Sequence, residues 1–206
     1  MLSRMVYTWR VNTNKNKWMQ EAGTIQFAAD THTGLTRSHN EDCYEADAEL
    51  GLWLLADGVG GHSCGDLASS IVRTTVKKHT VAGGSLQDAI ILAHQAVLDQ
   101  IDPDEKARGM GSTVVALRLE GEQYDLAWVG DSRAYLWDSG LLQLSRDHNR
   151  VSELLDQGVI TSQQAANHPE RHVLTQSLGV SKRMALQPGH RRGTLGESQQ
   201  ILLCSD

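Results

Sequence analysis

Acidic residues stand at the ends of several predicted strands, where carboxylates could do chemistry. Asp42 closes an Asn-Glu-Asp segment, Asp57 ends an apolar run, Asp131 lies in a Gly-Asp-Ser-Arg turn, and Asp206 follows the last apolar run. A carboxylate at the end of a buried strand loses hydration and needs a partner. Several carboxylates brought together repel one another unless a divalent cation neutralises them. Oxygen ligands favour Mg²⁺ or Mn²⁺ over zinc, so the pattern indicates a hard-cation site.

Each of these features alone has a more ordinary interpretation. An Asp-Gly pair and a Gly-Asp-Ser-Arg segment are both typical of turns. Arg37 alone would be a surface charge, and Asn40-Glu41-Asp42 alone a solvated loop. The glycines after Asp57 allow close approach of the backbone, so the carbonyl of Gly58 could also face a cation. Only the combination favours a metal site.

The elements that must position these residues follow from the hydrophobic periodicity. Period-2 or continuous apolar runs bounded by turn residues predict strands at 24–29, 52–56, 113–119, 124–129, 134–137, 141–144 and 200–204. Apolar stripes at helical spacing predict helices over 65–78 and 86–101. Residues 149–178 are polar and predict a helical or irregular surface excursion. Because the strands come in hairpins, we expect an α+β fold with mostly antiparallel sheets.

Composition excludes several classes of function. The chain has 206 residues, enough for one domain, and a formal net charge of −6, which disfavours binding to nucleic acid or to anionic membranes. It has no apolar run of membrane-spanning length and no secretory signal, so we expect no membrane segment. The three cysteines are far apart and form no C-x-x-C pair, which predicts neither a disulfide framework nor a zinc ribbon. The expected compartment is the cytoplasm, and residues 1–23 are expected to be a polar N-terminal extension.

Seven stretches, in this order, resemble the bacterial form of the PP2C (PPM) family of metal-dependent protein serine/threonine phosphatases. Their segments are Thr-Arg-Ser-His-Asn-Glu-Asp within 33–42, Ala-Asp-Gly-Val-Gly-Gly within 55–62, Gly-Ser-Thr within 110–113, Gly-Asp-Ser-Arg-Ala within 129–135, Asp-His-Asn within 144–149, Gln-Ser-Leu-Gly within 174–179 and Cys-Ser-Asp within 202–206. The resemblance covers residues 24–206. It implies an α-β-β-α sandwich over those residues, with a flap at about 149–172.

The resemblance also implies a binuclear Mn²⁺ or Mg²⁺ centre with a weaker third site. Asp57 would bridge both metals, and Gly58 would offer its carbonyl. Asp206 would bind one metal, and Asp131 would help to hold the third. These four residues are the expected metal ligands.

Three further residues would take part in hydrolysis. Asp42 would orient the water that the metals activate, with Glu41 nearby in the same role. Arg37 would clamp the substrate phosphate, because its planar fork can donate two parallel hydrogen bonds. Val59 stands where eukaryotic members often carry a histidine after the Asp-Gly pair, so protonation of the leaving alcohol stays unassigned.

The implied function is hydrolysis of phosphoserine and phosphothreonine in proteins by metal-activated water, opposing a serine/threonine kinase. We expect a monomer whose partners are phosphorylated proteins. The family continues beyond the position of Asp206 with a further Asp-Asn ligand, so we expect a C-terminally truncated domain. Two alternatives therefore stay open: an inactive remnant or pseudophosphatase that acts as a binding module, and a regulatory phosphatase for an anti-sigma-type partner.

Overall fold

The computed structural model of the protein describes residues 10–12, 24–33, 39–60, 64–101, 109–180 and 185–205. In chain order its strands are β1 (Arg10–Asn12), β2 (Thr24–Gln26), β3 (Asp42–Asp47), β4 (Leu52–Val59), β5 (Gly111–Ser112), β6 (Val114–Glu120), β7 (Gln123–Val129), β8 (Arg133–Trp137), β9 (Leu141–Gln143), β10 (Gly189–Thr194) and β11 (Gln200–Cys204). The helices are α1 (Cys64–Val81), α2 (Leu86–Ile101), α3 (Arg150–Asp156) and α4 (Ser162–Ala165). All seven predicted strands and both predicted long helices are present, with ends that shift by at most three residues.

The long helices form where the apolar stripes predict them. In α1, Ala68, Val72 and Val76 recur every four residues and are fully buried. The N-terminus of α2 is capped by Ser85, whose hydroxyl accepts the backbone N–H of Asp88 at 3.1 Å. The two helices pack against each other and cover one face of the larger sheet.

The larger sheet is antiparallel, with the strand order β10-β7-β6-β4-β3, and β5 pairs with the end of β4. Its two edge strands, β3 and β10, were not predicted from the sequence. Their sequences, DCYEAD and GHRRGT, are rich in charged residues and glycine, which edge strands tolerate because one side lacks a strand partner. The apolar signal for a strand is therefore weakest at these two edges.

A second antiparallel sheet, with the order β11-β8-β9, packs on the other face of the larger one. The central strand β4 is buried on both faces. Leu54 and Ala56 contact the helices, whereas Trp53 and Leu55 lie between the sheets. This two-sided burial explains the uninterrupted apolar run of β4. The layers of the described residues are thus helix, sheet and sheet, in a mixed α+β fold; a second outer helical layer is not among them.

Two segments outside these sheets also have regular structure. Strand β1 pairs with β2 in an antiparallel ribbon, so residues 10–12 of the predicted N-terminal extension have a strand partner. The predicted flap contains α3, capped by the Asn149 side chain, and α4, which has a Thr161/Gln164 capping box.

The structure was also searched for helices that could span a bilayer. Within the residues described above, every helix is too short or too polar to do so.

The α2 helix offers a matched pair of substitutions that tests the core. Ile90 is 0% exposed and Ile91 is 46% exposed. We expect Ile90→Ala to lower the free energy of unfolding by about 2–5 kcal/mol, because it leaves a cavity between the helices and the sheet. Ile91→Ala should change it by about 0.5 kcal/mol or less. Urea unfolding of both variants measures the difference, and equal effects would contradict this placement of the core.

Candidate active site

Asp42 and Asp57 lie directly opposite each other on neighbouring strands. Asp42 opens β3 and Asp57 lies near the end of β4, and the antiparallel register pairs their Cα atoms. Directly opposed residues project their side chains from the same face of a sheet, where like charges are destabilising. Two carboxylates held side by side in this way form a site suited to a divalent cation.

Both side chains project into the layer between the two sheets. Trp53 and Leu55 of β4 belong to the inter-sheet core, so the period of two places Asp57 on the same face. The same alternation applies to β11, where Ile201 and Leu203 are buried in that core and Ser205 follows. The apolar layer therefore ends in polar groups at one end of both sheets.

Asp42 is held by neutral hydrogen-bonding groups. The hydroxyl of Ser205 donates to Asp42 Oδ2 at 3.0 Å, across 163 residues of sequence. The backbone N–H of Asp42 donates to Asn40 Oδ1 at 3.1 Å, and the Asn40 amide donates to Thr31 Oγ1 at 2.7 Å. These bonds fix the start of β3 next to the end of β11.

Glu41 and Gly58 lie against the first turn of α1. The backbone N–H of Gly58 donates to the carbonyl of Glu41 at 3.1 Å. A Cβ at Gly58 would overlap the backbone of Gly65, and a Cβ at Gly65 would come within 2.5 Å of Glu41 Oε1. Glycine at both positions lets strand and helix backbones touch, and the Glu41 carboxylate lies where a helix N-terminus favours negative charge.

A buried threonine holds the backbone of Asp57. The N–H of Thr113 donates to the carbonyl of Asp57 at 2.8 Å, and Thr113 Oγ1 accepts the N–H of Asp57 at 3.3 Å. The hydroxyl of Ser112 donates to the same carbonyl at 3.0 Å. The N–H and the carbonyl of Asp57 are thus both held by the segment where β5 ends and β6 begins.

The same threonine reaches the turn that carries Asp131. Thr113 Oγ1 and Ser132 Oγ are 2.7 Å apart and share a hydrogen bond. Gly130 has a φ of 103°, and a Cβ there would lie 2.6 Å from Thr113 Cβ. The structure therefore links the turn of Asp131 to the strand end of Asp57.

A further chain of contacts runs from Asp57 to α2. Leu178 is fully buried and pairs with Ser112 through two backbone hydrogen bonds of 2.8 and 3.1 Å. Gly179 then donates its N–H to His94 Nδ1 at 3.1 Å. Burial lowers the pKa of His94 from its ordinary value, which agrees with a neutral imidazole that accepts this bond.

A cleft of about 790 Å³ opens beside these residues, between the second sheet and the helices α3 and α4 of the predicted flap. Asp131 and Ser205 line its wall, whereas Asp42 and Asp57 do not. In the same wall, Arg133 donates to both oxygens of the buried Asp147 at 2.6–3.1 Å. These hydrogen bonds raise the pKa of Arg133, so its guanidinium is charged in the folded chain.

The predicted site residues divide into two groups. Glu41, Asp42, Asp57 and Gly58 come together, and the Asp131 turn is bonded to the Asp57 strand through Thr113. The two other predicted site residues, Arg37 and Asp206, lie outside the described residues. Within the described ranges, no three His, Cys, Asp or Glu side chains are grouped closely enough to hold a metal by themselves.

Sequence reasoning missed the neutral groups that hold the carboxylates. Thr113, Ser132 and Ser205 lie inside the quoted motifs, but a hydroxyl side chain in a motif does not by itself show which group it bonds to. Their partners are 19 to 163 residues away in sequence. Only the strand pairing shows that these hydroxyls reach the site.

Comparison with known proteins decides the family. The family model described as protein phosphatase 2C matches residues 18–154, about two thirds of the chain. The chain belongs to the protein phosphatase 2C family. The confirmed resemblance accounts for the order of the strands and for the acidic residues at their ends.

Two bacterial serine/threonine phosphatases are among the relatives of this chain. The serine/threonine protein phosphatase PstP of Mycobacterium tuberculosis is 34% identical over 189 residues, which cover 88% of this chain and 36% of PstP. The serine/threonine phosphatase stp of Listeria innocua is 34% identical over 190 residues, covering 85% of this chain and 75% of stp. The chain thus spans about a third of the length of PstP and three quarters of that of stp.

A solved structure shares the fold. The catalytic domain of PstP, crystallised in complex with two manganese ions, superposes with a TM-score of 0.71 at 31% identity. The match covers 84% of this chain and 74% of that one. The antiparallel sheets and long helices described above therefore form a protein phosphatase 2C fold.

The Thr113 hydroxyl is testable with two substitutions. Thr113→Val leaves the Asp57 N–H and the buried Ser132 hydroxyl without this partner, which should cost about 1–3 kcal/mol of unfolding free energy. Thr113→Ser keeps the hydroxyl and should cost about 0.8 kcal/mol for the lost methyl group. Urea unfolding of both variants measures the costs. An equal cost for the two would mean that the hydroxyl does not hold the strand end.

The lowered pKa of His94 predicts a stability change in acid. The unfolded chain binds a proton at this histidine more readily than the folded chain, so unfolding is favoured as the pH falls below about 6.5. Above that pH, the stability that the neutral His94 contributes to the folded chain is fully present. His94→Asn keeps an acceptor near the Nδ1 position but does not titrate, so its melting temperature should fall less than that of the wild type between pH 7 and pH 5. Identical pH profiles of the two proteins would refute a neutral, half-buried His94.

Proposed function

We propose that the chain hydrolyses phosphoserine and phosphothreonine in proteins, using Mn²⁺ or Mg²⁺. The observation that carries the proposal is the direct opposition of Asp42 and Asp57 at the polar end of the inter-sheet layer. Like charges held in register repel each other, and a divalent cation between or beside them would offset this repulsion. The names of the relatives PstP and stp, both serine/threonine phosphatases, support the same activity.

The donor set fits hard divalent cations. Asp57 and the carbonyl of Gly58 would hold two ions together with Asp206, and Asp131 would contribute to a weaker third site. All these donors are oxygens, which Mg²⁺ and Mn²⁺ prefer. Bound ions of this kind supply a water activated at neutral pH and neutralise phosphate charge. Two manganese ions in the PstP catalytic domain support this assignment.

The chain's own residues would orient the reactants. Asp42 would hold the attacking water, since the Ser205 hydroxyl fixes the position of its Oδ2 atom. Glu41 would assist from the first turn of α1. Arg37 would bind two oxygens of the substrate phosphate through its guanidinium fork, a geometry that a lysine could not reproduce.

The cleft between the second sheet and the flap would receive the polypeptide around the phosphorylated residue. It begins at Asp131 and Ser205, next to the proposed metal ligands. The physiological partners would then be phosphorylated proteins and the kinase that modifies them. We propose a cytoplasmic monomer, because the three cysteines are far apart in the sequence and predict no disulfide framework.

Asp57→Asn tests the activity and the site together. The substitution keeps the shape of the side chain but removes the charge proposed to bridge two cations. We expect Mn²⁺-dependent turnover of a phosphoserine peptide to fall at least about a hundredfold, because several kcal/mol of charge stabilisation are lost. Phosphate release measured with and without a chelator gives the metal-dependent rate.

Asp99→Asn is the matched control, because Asp99 is an exposed residue of α2 whose carboxylate accepts a hydrogen bond from the Gln95 side chain of the same helix at 2.7 Å. It should leave turnover unchanged. Full activity of Asp57→Asn would refute the site. A folded wild-type chain that neither takes up Mn²⁺ in calorimetry nor releases phosphate would instead favour the binding-module alternative.

A further inference from the structure

The imidazole of His148 is bonded to the turn that carries Asp131. The backbone N–H of Gly130 donates to His148 Nδ1 at 3.3 Å, and the backbone N–H of His148 donates to the carbonyl of Gly130 at 2.9 Å. Both backbone polar groups of Gly130 are therefore engaged by one histidine. The next residue along the chain is Asp131.

The hydrogen bond to Nδ1 defines the protonation state of His148. A nitrogen that accepts an N–H cannot carry a proton of its own, so the neutral ring must bear its hydrogen on Nε2. Burial lowers the pKa of His148 from its ordinary value, in agreement with the neutral form. The ring is an acceptor that stays uncharged beside an acidic site.

The position of the His148 ring is itself fixed. Its plane faces the ring of Trp128 at 24°, with centroids 6.4 Å apart, and the Trp128 indole N–H donates to the carbonyl of Arg146 at 2.7 Å. The carbonyl of His148 accepts the N–H of Thr175 at 2.8 Å. The histidine is thus anchored to β7 and to the segment that follows the flap.

The Asp131 turn is consequently held from two sides. On one side, Ser132 bonds to Thr113, and Gly130 is pressed against the Thr113 side chain. On the other side, His148 binds the N–H and the carbonyl of Gly130. Gly130 keeps a left-handed φ of 103°, which the turn requires and which few other residues adopt.

We propose that His148 is a positioning residue for Asp131: its neutral Nδ1 acceptor fixes the turn so that the Asp131 carboxylate is oriented for the weaker cation. The inference rests on the proposed function, since Asp131 is a ligand only if the centre binds metal. His148 does not touch the cation or the substrate. It acts through Gly130, as residues behind metal ligands commonly do.

Two substitutions separate the acceptor from the ring. His148→Asn supplies an amide oxygen near the position of Nδ1, whereas His148→Phe keeps a flat ring that can face Trp128 but has no acceptor. Isothermal calorimetry should show that His148→Phe lowers the Mn²⁺ affinity of the weak site by about 10- to 100-fold. The Mn²⁺ affinity of the tight sites should change by less than about threefold. His148→Asn should restore the weak site to near the wild-type affinity. Asp131→Asn provides the benchmark for complete loss of that site.

A second measurement needs neither metal nor a variant. Long-range ¹H–¹⁵N spectra of the wild-type chain should show the His148 ring in the Nε2–H form at neutral pH. A ring protonated on Nδ1 would overturn the proposal, and this holds even if His148→Phe fails to fold.

The other outcomes are equally decisive. Three results would each overturn the role of His148 while leaving the proposed function intact. They are a wild-type Mn²⁺ affinity at the weak site of His148→Phe, equal losses of affinity at the tight and weak sites, and no recovery of the weak-site affinity in a folded His148→Asn. A wild-type chain that binds no Mn²⁺ would refute the proposed function and this inference together, which separates the two failures.

Discussion

Two like charges placed opposite each other in a β-sheet are the constraint around which the rest of the site is organised. Asp42 and Asp57 face the same layer from neighbouring strands. Such a pair is unfavourable in a folded chain unless something of opposite charge offsets it. A structural role alone would not require this pairing at the end of the inter-sheet layer. The function proposed above would meet this demand with divalent cations.

The register that buries the core also aims the carboxylates. Because side chains alternate between faces, Trp53 and Leu55 inside the inter-sheet layer require Asp57 to project into the same layer. A slip of one residue would turn Asp57 toward the helices and move Leu55 out of the inter-sheet layer. The strand pairing that buries the apolar core thus also sets the positions of the carboxylates in the site.

Neutral groups hold the charged ones in place. Hydroxyls of Thr113 and Ser205 bond to the Asp57 backbone and to the Asp42 carboxylate, and glycines 58 and 65 let β4 touch α1. The sequence predicts close approach of the backbone at Gly58, but it gives no local signal for the partners of the two hydroxyls. The edge strands β3 and β10 were missed for a related reason. Their charged residues weaken the apolar signal for a strand, and each segment forms a strand by pairing with a neighbouring one. The roles of Arg37 and Asp206 stay predictions from the family resemblance, because both residues lie outside the described ranges.

From the sequence alone one can read both long helices, most strands and the presence of acidic residues at strand ends, because periodicity and turn residues are local properties. The tertiary structure decided which carboxylates are neighbours and which hydroxyls and imidazole rings support them. Those relations join residues as far apart as Asp42 and Ser205, and they depend on register and on the packing of two sheets. Local sequence carries no record of such distant contacts, since only the folded core brings the chain segments together.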